Sequence, residues 1–388
     1  MKLLHTSDWH LGHTLYNYDR VEEQQSMMSQ MISIVSEQKP DLFLLCGDVY
    51  HTSQPSSAVQ TMFTDFLVQL HDANPQMHII VTAGNHDSAT KHEIFRTPWR
   101  SMKVHTIGTL NKENIFDHII KIGDKGYVLA VPYANTRNIP EGFFQNLLDE
   151  VNSQNRESLP VVLTAHTTVK GCDYMGHSNA TEFSVGGIDT LDIEELGLGY
   201  DYLALGHIHH QQYVHTGKHN VRYSGSPLAV SFDEAYPHTV TMVDIEKHGA
   251  VPVTTQIEIT NPRPLVTLPT EGVATWADVK TLLSNYPADI PAYIRLNVEI
   301  ENFLSPNANA EAVALTKDKE CRFCYINAKL KNSGGVETKV MTIQELKSEA
   351  PIDIARQYAK DKGIIFDETM QTLFQEALGR LNEELRNE

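Results

Sequence analysis

Short apolar segments that end in polar side chains are the feature that most restricts how this chain can fold. Three of them, at 2–6, 41–46 and 79–82, are predicted to be buried strands. Helices with an apolar stripe are predicted between them, at 21–37 and 55–71. Such alternation predicts a largely parallel sheet with helices on both faces. Because ligands of such sheets bind beyond the carboxyl ends of the strands, the side chains that follow these strands should meet there: Asp8, Asp48 and Asn85.

The middle of the chain is richer in strands. One helix is predicted near 141–153, and strands are predicted near 104–107, 115–122, 127–132, 159–164, 202–205, 211–215, 221–224, 239–245 and 253–259. Several of these strands are predicted to form a second sheet that faces the first, with helices on the outer faces of the two sheets. The predicted fold class is therefore α/β, in the form of a four-layer α/β/β/α sandwich that occupies residues 1–262.

A proline-rich junction at Asn261–Pro264 interrupts both helix and sheet pairing and predicts a domain boundary. Beyond it, a small α+β domain is predicted over 263–345, with helices near 275–285 and 307–316 and strands near 291–300 and 321–330. A helical tail is predicted over 346–388. Its apolar stripe consists of Met370, Leu373, Phe374, Ala377, Leu378, Leu381 and Leu385. Such a stripe packs either on its own chain or against a partner, and both alternatives stay open at this point.

Five strand ends carry side chains that bind metal ions. They are Asp8-x-His10, Gly47-Asp48, Gly84-Asn85-His86-Asp87, Ala165-His166 and Gly206-His207-x-His209. This mixture of carboxylates, imidazoles and one amide, without a thiolate, suits manganese, iron or magnesium better than structural zinc. Asp48 is the carboxylate that could bridge two ions about 3.5–4 Å apart. One ion would be completed by Asp8, His10 and His209, and the other by Asn85, His166 and His207.

Charge and cysteine content restrict the function classes further. The formal net charge of −18 argues against a generally basic nucleic-acid binder, so any DNA-binding surface must be local or supplied by a partner. A nuclease is compatible with this charge because carboxylates that hold metal ions are neutralised in the loaded enzyme. The start of the chain lacks the pattern of a signal peptide, and no segment is apolar enough to span a membrane, which predicts a cytoplasmic protein. Cys321 and Cys324 could be half a zinc site or a redox pair, but strand residues in a reducing compartment are the favoured interpretation.

The strand-end motifs resemble those of the calcineurin-like metallophosphoesterase superfamily. The resemblance narrows to its SbcD family of bacterial DNA-repair nucleases through Thr6–Gly12, Ala83–Ser88, Tyr223–Pro227 and Ser231–Glu234, and it covers roughly residues 1–260. It implies manganese-dependent cleavage of DNA, as a 3′→5′ exonuclease on duplex ends and an endonuclease at single strands or hairpins. It also implies a homodimer, a small capping domain that grips DNA, and a C-terminal docking region for an SbcC-type coiled-coil ATPase.

Residues around the predicted metal centre receive further roles. The ligand assignment carries over to the family pattern, and His86 becomes the residue that acts on the leaving oxygen. The residue expected to orient His86 is Asp87. His51 could contact or steer the substrate, or be an exposed loop histidine. Candidate DNA contacts are Arg96, Arg100 and Lys103, whose alternative role is an ordinary solvated surface.

Two other functions remain compatible with the motifs. A phosphodiesterase acting on a small nucleotide could use the same metal ligands, but it would have less need of an extra domain and an amphipathic tail. A scaffold that has lost catalysis would have little reason to keep the complete ligand set. The sequence therefore favours a metal-dependent DNA nuclease.

Overall fold

The computed structural model describes residues 1–173, 190–214, 219–301, 303–331 and 370–371. The helices in these ranges are α1 (Val21–Gln38), α2 (Ser57–Ala73), α3 (Ala89–Trp99), α4 (Phe143–Gln154), α5 (Trp276–Asn285) and α6 (Ala308–Thr316). The strands are β1 (Lys2–Thr6), β2 (Leu42–Cys46), β3 (His78–Thr82), β4 (Val104–Ile107), β5 (Ile119–Ile122), β6 (Gly126–Leu129), β7 (Val161–His166), β8 (Thr168–Val169), β9 (Thr190–Leu191), β10 (Tyr202–Gly206), β11 (Gln212–Tyr213), β12 (Val221–Tyr223), β13 (Thr239–Asp244), β14 (Val253–Glu258), β15 (Leu265–Leu268), β16 (Ala274–Thr275), β17 (Tyr293–Ile300) and β18 (Arg322–Leu330).

The first six-stranded sheet has the order β14-β13-β1-β2-β3-β4. Strands β1 to β4 are parallel, with Leu4 beside Phe43 and Phe43 beside Ile79. β13 is antiparallel to β1, and β14 is antiparallel to β13. β2 is buried along its whole length, as expected for a central parallel strand that is covered on both faces. On the outer face, α1 and α2 bury Met31 and Phe66 in the same core as Phe43.

The second six-stranded sheet has the order β11-β12-β10-β7-β6-β5. Its four central strands are parallel, and its two edge strands are antiparallel to their neighbours. Leu147 of α4 packs in the core on one face. On the other face, Val128 and Tyr202 share a core with Leu44 of the first sheet. The predicted four-layer α/β/β/α arrangement is therefore confirmed, and it directs the carboxyl ends of the parallel strands of both sheets to the site described below.

A small four-stranded sheet forms a core of its own. β15 and β16 pair in parallel with β17, and β18 also pairs with β17. Residues of α5 and α6, such as Leu283 and Ala312, share a core with Ile294. The expected α+β character over this segment is observed, while the boundaries drawn at 263 and 345 stay predictions. The chain divides into two compact units, Met1–Lys329 and Leu330–Glu388, and both large sheets belong to the first.

Some features differ from the expectation or lie beyond it. The helix α3 was not predicted, and 115–122 begins with a turn of 3-10 helix before β5. Cys321 lies in the core of the small sheet, Cys324 packs against a different cluster, and both are free thiols. The predicted tail lies outside the described residues, apart from the helical Met370 and Gln371. Among the described helices, none combines the length and the apolar character that a membrane span requires.

Candidate metal centre

The loops that follow β1, β2 and β10 lie together and share an unusual backbone conformation. Asp8, His10, Asp48 and His207 have φ values of 55°, 46°, 51° and 96°. A positive φ is rare for residues other than glycine, costs about 1–3 kcal/mol and concentrates at functional sites. The loops support one another, because the backbone N–H of Asp8 donates to the Gly47 carbonyl at 3.1 Å and that of His10 donates to the Asp48 carbonyl at 3.0 Å. The surrounding contacts therefore hold the strained residues in place.

Glycine is required where these loops approach each other most closely. A Cβ on Gly84 would collide with the carboxylate and the backbone nitrogen of Asp48. A Cβ on Gly206 would collide with the carbonyl of Cys46 and the ring of His166. The glycines that precede the polar residues thus allow the ends of strands from both sheets to pack together.

The first group of predicted ligands is brought together by β1 and β10. Ligand atoms of Asp8, His10 and His209 all lie within 4.8 Å of one another. The Nε2 atoms of His10 and His209 are 3.0 Å apart. The backbone N–H of His207 donates to both carboxylate oxygens of Asp8, at 3.0 and 3.1 Å, and so fixes that carboxylate. All three ligand side chains are buried.

The second group meets at the ends of β3, β7 and β10. Asn85 Oδ1 lies 3.0 Å from His166 Nε2 and 3.1 Å from His207 Nδ1. Asp48 lies between the two groups, because its Oδ2 is 3.4 Å from His166 Nε2 and 3.8 Å from His10 Nε2. The structure thus brings all seven predicted ligands into one cluster.

The chemistry of this cluster fits divalent metal ions. Burial raises the pKa of Asp8, because removal from water disfavours the charged carboxylate. Burial opposes ionisation of Asp48 as well, but the neighbouring His166 and His10 outweigh it and lower the pKa of Asp48. His166 is also buried, yet Asp48 beside it raises the pKa of the imidazole to about 9. A divalent cation would supply the positive charge that a proton on His166 otherwise supplies, and nitrogen and oxygen donors without thiolates suit manganese or iron.

Hydrogen bonds behind the ligands orient two of the imidazoles. His166 Nδ1 donates to the carbonyl of Cys46 at 2.9 Å, which leaves Nε2 as the nitrogen that faces Asp48. His209 Nδ1 lies 3.2 Å from Glu234 Oε1. Glu234 received no role from the sequence, although it ends the Ser231–Glu234 motif. Its proximity to His209 depends on the fold, and only its acidic character could have drawn attention to it.

The structure corrects the expected role of Asp87. Its carboxylate accepts the backbone N–H groups of Gly84, Val49 and Tyr50 at 2.8, 3.1 and 2.9 Å, and it lies 3.6 Å from His92 Nε2. Asp87 therefore ties together the loops after β2 and β3 and does not orient His86. The physical reason is that three backbone donors converge on this buried carboxylate.

His86 is oriented by His51 instead. His86 Nδ1 donates to the carbonyl of His51 at 3.0 Å, and the two rings are stacked with centroids 5.8 Å apart. The ring of His10 lies 5.0 Å from that of His86. Burial, and then the nearby His86, lower the pKa of His51 to about 4. His51 thus belongs to a histidine cluster beside the metal ligands and is not an exposed loop histidine.

The three predicted DNA contacts do not form one free cationic patch. Arg96 is paired with Glu93 at 3.5 Å and Asp117 at 3.3 Å, which neutralises most of its charge. Lys103 donates to the carbonyl and the side chain of Gln76 at 3.2 and 2.9 Å. Arg100 is exposed at the end of α3. Among these three, Arg100 is the one best placed to contact a phosphate.

Comparison with known proteins places the chain in a family. A family model of calcineurin-like phosphoesterases matches residues 1–211. The SbcD subunit of the SbcCD nuclease of Rhodobacter capsulatus is 30% identical over 313 residues, covering 73% of this chain and 75% of that protein. The protein of the same name from Bacillus subtilis is 30% identical over 283 residues, with 69% and 71% covered. That of Escherichia coli K12 is 29% identical over 272 residues, with 62% and 65% covered. The chain belongs to the calcineurin-like phosphoesterase family and, within it, to the SbcD family of nuclease subunits.

Proposed function

We propose that this chain is a divalent-metal-dependent DNA nuclease that hydrolyses phosphodiester bonds with two metal ions. One observation carries the proposal. The buried carboxylate of Asp48 lies between two groups of nitrogen and oxygen donors, 3.8 Å from His10 Nε2 and 3.4 Å from His166 Nε2. Membership of the SbcD family supports a nucleic acid as the substrate.

Each ion would have its own ligands and share Asp48. Asp8, His10 and His209 would hold one ion, and Asn85, His166 and His207 would hold the other. Bound divalent ions, which we propose are manganese, polarise the scissile phosphate and lower the pKa of an attacking water. The protein keeps the donors in place, through the N–H of His207 on Asp8 and the Cys46 carbonyl on His166. Because these groups are already in position, the site does not have to rearrange during the reaction.

His86 would give a proton to the leaving oxygen. In the imidazolium form both ring nitrogens donate, so Nδ1–H can stay on the His51 carbonyl while Nε2–H is transferred. His51 would steer the substrate. Among the described residues its buried Nδ1 has no hydrogen-bond partner, so it is available to a ligand. Asp87 would contribute indirectly, because it fixes the loops that carry Asp48 and His86.

The remaining assignments concern the substrate and the partners. We propose 3′→5′ exonuclease activity on duplex ends and endonuclease activity at single strands and hairpins, in a cytoplasmic homodimer. Residues 1–262 would form the nuclease domain, 263–345 a domain that caps DNA, and 346–388 the segment that binds an SbcC-type coiled-coil ATPase. The name shared by the relatives makes each of them one subunit of a nuclease called SbcCD, which supports a partner for this chain.

Metal content and nuclease activity of Asp48→Ala test the proposal. The wild-type chain should bind two Mn²⁺ ions and release nucleotides from end-labelled duplex DNA. Asp48→Ala should lose most of the metal and essentially all activity, because both ions lose a ligand. Asp124→Ala, which removes an exposed carboxylate between β5 and β6, is the matched control and should retain both. Two bound ions in Asp48→Ala, measured by elemental analysis, would contradict the assignment.

A second substrate separates DNA cleavage from hydrolysis of small nucleotides. Cyclic nucleotides and a chromogenic phosphodiester should be offered beside duplex and hairpin DNA at the same Mn²⁺ concentration. We expect DNA to be cleaved with the higher kcat/KM. Efficient hydrolysis of a cyclic nucleotide with no cleavage of DNA would favour the small-molecule phosphodiesterase.

A further inference from the structure

A buried carboxylate that the proposed reaction does not use lies directly behind His209. Glu234 is 5% exposed, and its Oε1 lies 3.2 Å from His209 Nδ1. Its other oxygen, Oε2, accepts from Ser226 Oγ at 3.3 Å and from the backbone N–H of Val230 at 3.4 Å. Also near Oε2 is His238 Nε2, at 3.9 Å. A carboxylate with this many contacts is held in one orientation.

The two nitrogens of the His209 ring therefore face different groups. Nδ1 faces Glu234, whereas Nε2 faces the cluster of ligands, 3.0 Å from His10 Nε2. An imidazole can bind a metal ion only through an unprotonated nitrogen. A carboxylate on the opposite nitrogen keeps the proton at Nδ1, fixes the ring plane and increases the basicity of Nε2.

The backbone reinforces this arrangement. The N–H of Ser226 donates to the carbonyl of His209 at 3.0 Å, so the loop that holds Glu234 also contacts the main chain of His209. Ser226 consequently contacts both residues, through its N–H and through its hydroxyl. The loop 226–234 thus forms a closed set of contacts around one proposed ligand.

We infer that Glu234 is a positioning residue of the metal centre. It orients His209 and strengthens the binding of the ion that Asp8, His10 and His209 would hold. The inference rests on the ligand assignment made under the proposed function. It extends that assignment, because it predicts that one ion depends on Glu234 and that the other does not.

The neighbouring residue provides a matched control. Asp233 carries the same charge in the same loop, but its carboxylate pairs with Arg295 of β17 at 2.9 Å and is 39% exposed. The two adjacent carboxylates thus face different elements, the small sheet in one case and His209 in the other. A general effect of lost charge or loop packing should appear in both variants, whereas an effect on His209 should appear only at Glu234.

Titration of the metal-free full-length chain with Mn²⁺ tests the inference. Binding is followed by calorimetry and by the electron paramagnetic resonance of free Mn²⁺. In Glu234→Gln we expect one of the two binding events to weaken about 10–100-fold and the other to be unchanged. Asp233→Asn should bind both ions like the wild type. Glu234→Asp keeps the charge but shortens the side chain, so it should weaken the same event by less; it is the deciding variant if Glu234→Gln does not fold.

Other results would overturn the inference. Wild-type affinity for both ions in Glu234→Gln would show that the carboxylate does not support His209. An equal loss at both sites would show that Glu234 acts on the whole loop structure. If the wild-type chain itself bound no Mn²⁺, the ligand assignment and the role of Glu234 would both fail.

Discussion

His86 and Asp48 are in direct contact but should respond differently to mutation. The contact is made by the backbone N–H of His86, which donates to Asp48 Oδ1 at 2.9 Å and which an alanine would preserve. The imidazole of His86 is held by the His51 carbonyl and is not assigned as a ligand. His86→Ala should therefore keep its metal ions and lose about 10²–10⁴-fold in rate, the usual contribution of general acid catalysis.

Metal content measured beside the rate distinguishes the two roles. Asp48→Ala should lose metal and rate together, whereas His86→Ala should lose rate alone. A parallel loss of metal in His86→Ala would mean that the imidazole is a ligand. That result would be consistent with the short distances among His10, His51 and His86, whose ligand atoms lie within 4.8 Å of one another.

Individual residues differ in how far the sequence predicts their role. The ligand types could be recognised because each follows an apolar strand, and parallel strands bring their carboxyl ends to one edge. The role of Asp87 could not be recognised from the sequence, because it depends on which backbone N–H groups point at its carboxylate in the folded loops. Glu234 is 25 positions from His209 in the sequence, so their pairing also requires the fold.

The elements that the sequence predicts best are those with a buried face. β2 is apolar along its length and β3 over Ile79–Val81, and α1 and α2 carry apolar stripes that α3 lacks. In α3 only His92 is buried, Ile94 is 64% exposed, and Pro98 lies near the end. Without a stripe, and with a proline, α3 has no periodic signal. Its position is instead set by contacts such as that of Thr106 Oγ, which donates to the His92 carbonyl at 2.7 Å.

The pairing of β3 with β4 should make stability depend on pH. His78 Nδ1 and His105 Nε2 are 3.3 Å apart, and the rings are nearly parallel at 8°. Burial, followed by His78, Arg100 and Arg96, lowers the pKa of His105 from 6.5 to about 4. The unfolded chain thus binds a proton that the folded chain does not, so the contribution of this pair is complete above pH 6.5 and declines as the pH falls towards about 4.

Urea unfolding at several pH values measures this dependence. His105→Gln removes the titrating group and keeps a hydrogen-bonding side chain beside His78. The free energy of unfolding of this variant should fall less steeply between pH 6.5 and about 4 than that of the wild type. His219→Gln, at an exposed position, should leave the slope unchanged. Identical slopes for His105→Gln and the wild type would show that the pair does not titrate as proposed.

At the scale of the whole molecule, buried polar contacts join the small sheet to α1, the helix that packs on the first large sheet. Tyr293 Oη of β17 donates to Glu23 Oε1 of α1 at 2.8 Å, and Arg263 Nε lies 3.5 Å from the same oxygen. Arg322 of β18 lies over the Tyr293 ring, 5.6 Å from its centroid, and donates to the carbonyl of Asp19, just before α1, at 3.1 Å. The proline-rich junction at Asn261–Pro264 predicts a boundary between two segments of the chain. It could not predict this interface, because the contacting residues are far apart in the sequence.

The last prediction concerns the tail and the partner ATPase. The apolar stripe from Met370 to Leu385 would be unfavourable in water, so it requires a surface to cover it. If that surface is the coiled-coil ATPase, deletion of 351–388 should abolish copurification of the two proteins. The Mn²⁺-dependent activity of the isolated chain should remain largely intact, because the proposed ligands all lie between Asp8 and His209.

A substitution within the stripe separates partner binding from folding. Leu381→Asp in the full-length chain places a charge on the stripe without shortening the protein, and it should reduce copurification as the deletion does. Glu383→Lys also changes charge in the tail but lies on the opposite side of a helix from the stripe, so it should have little effect. Loss of solubility or of the cooperative unfolding transition in the deletion and in Leu381→Asp would show that the stripe packs on its own chain. In that case the helix contributes to the fold of the nuclease chain itself, and the ATPase must bind another surface.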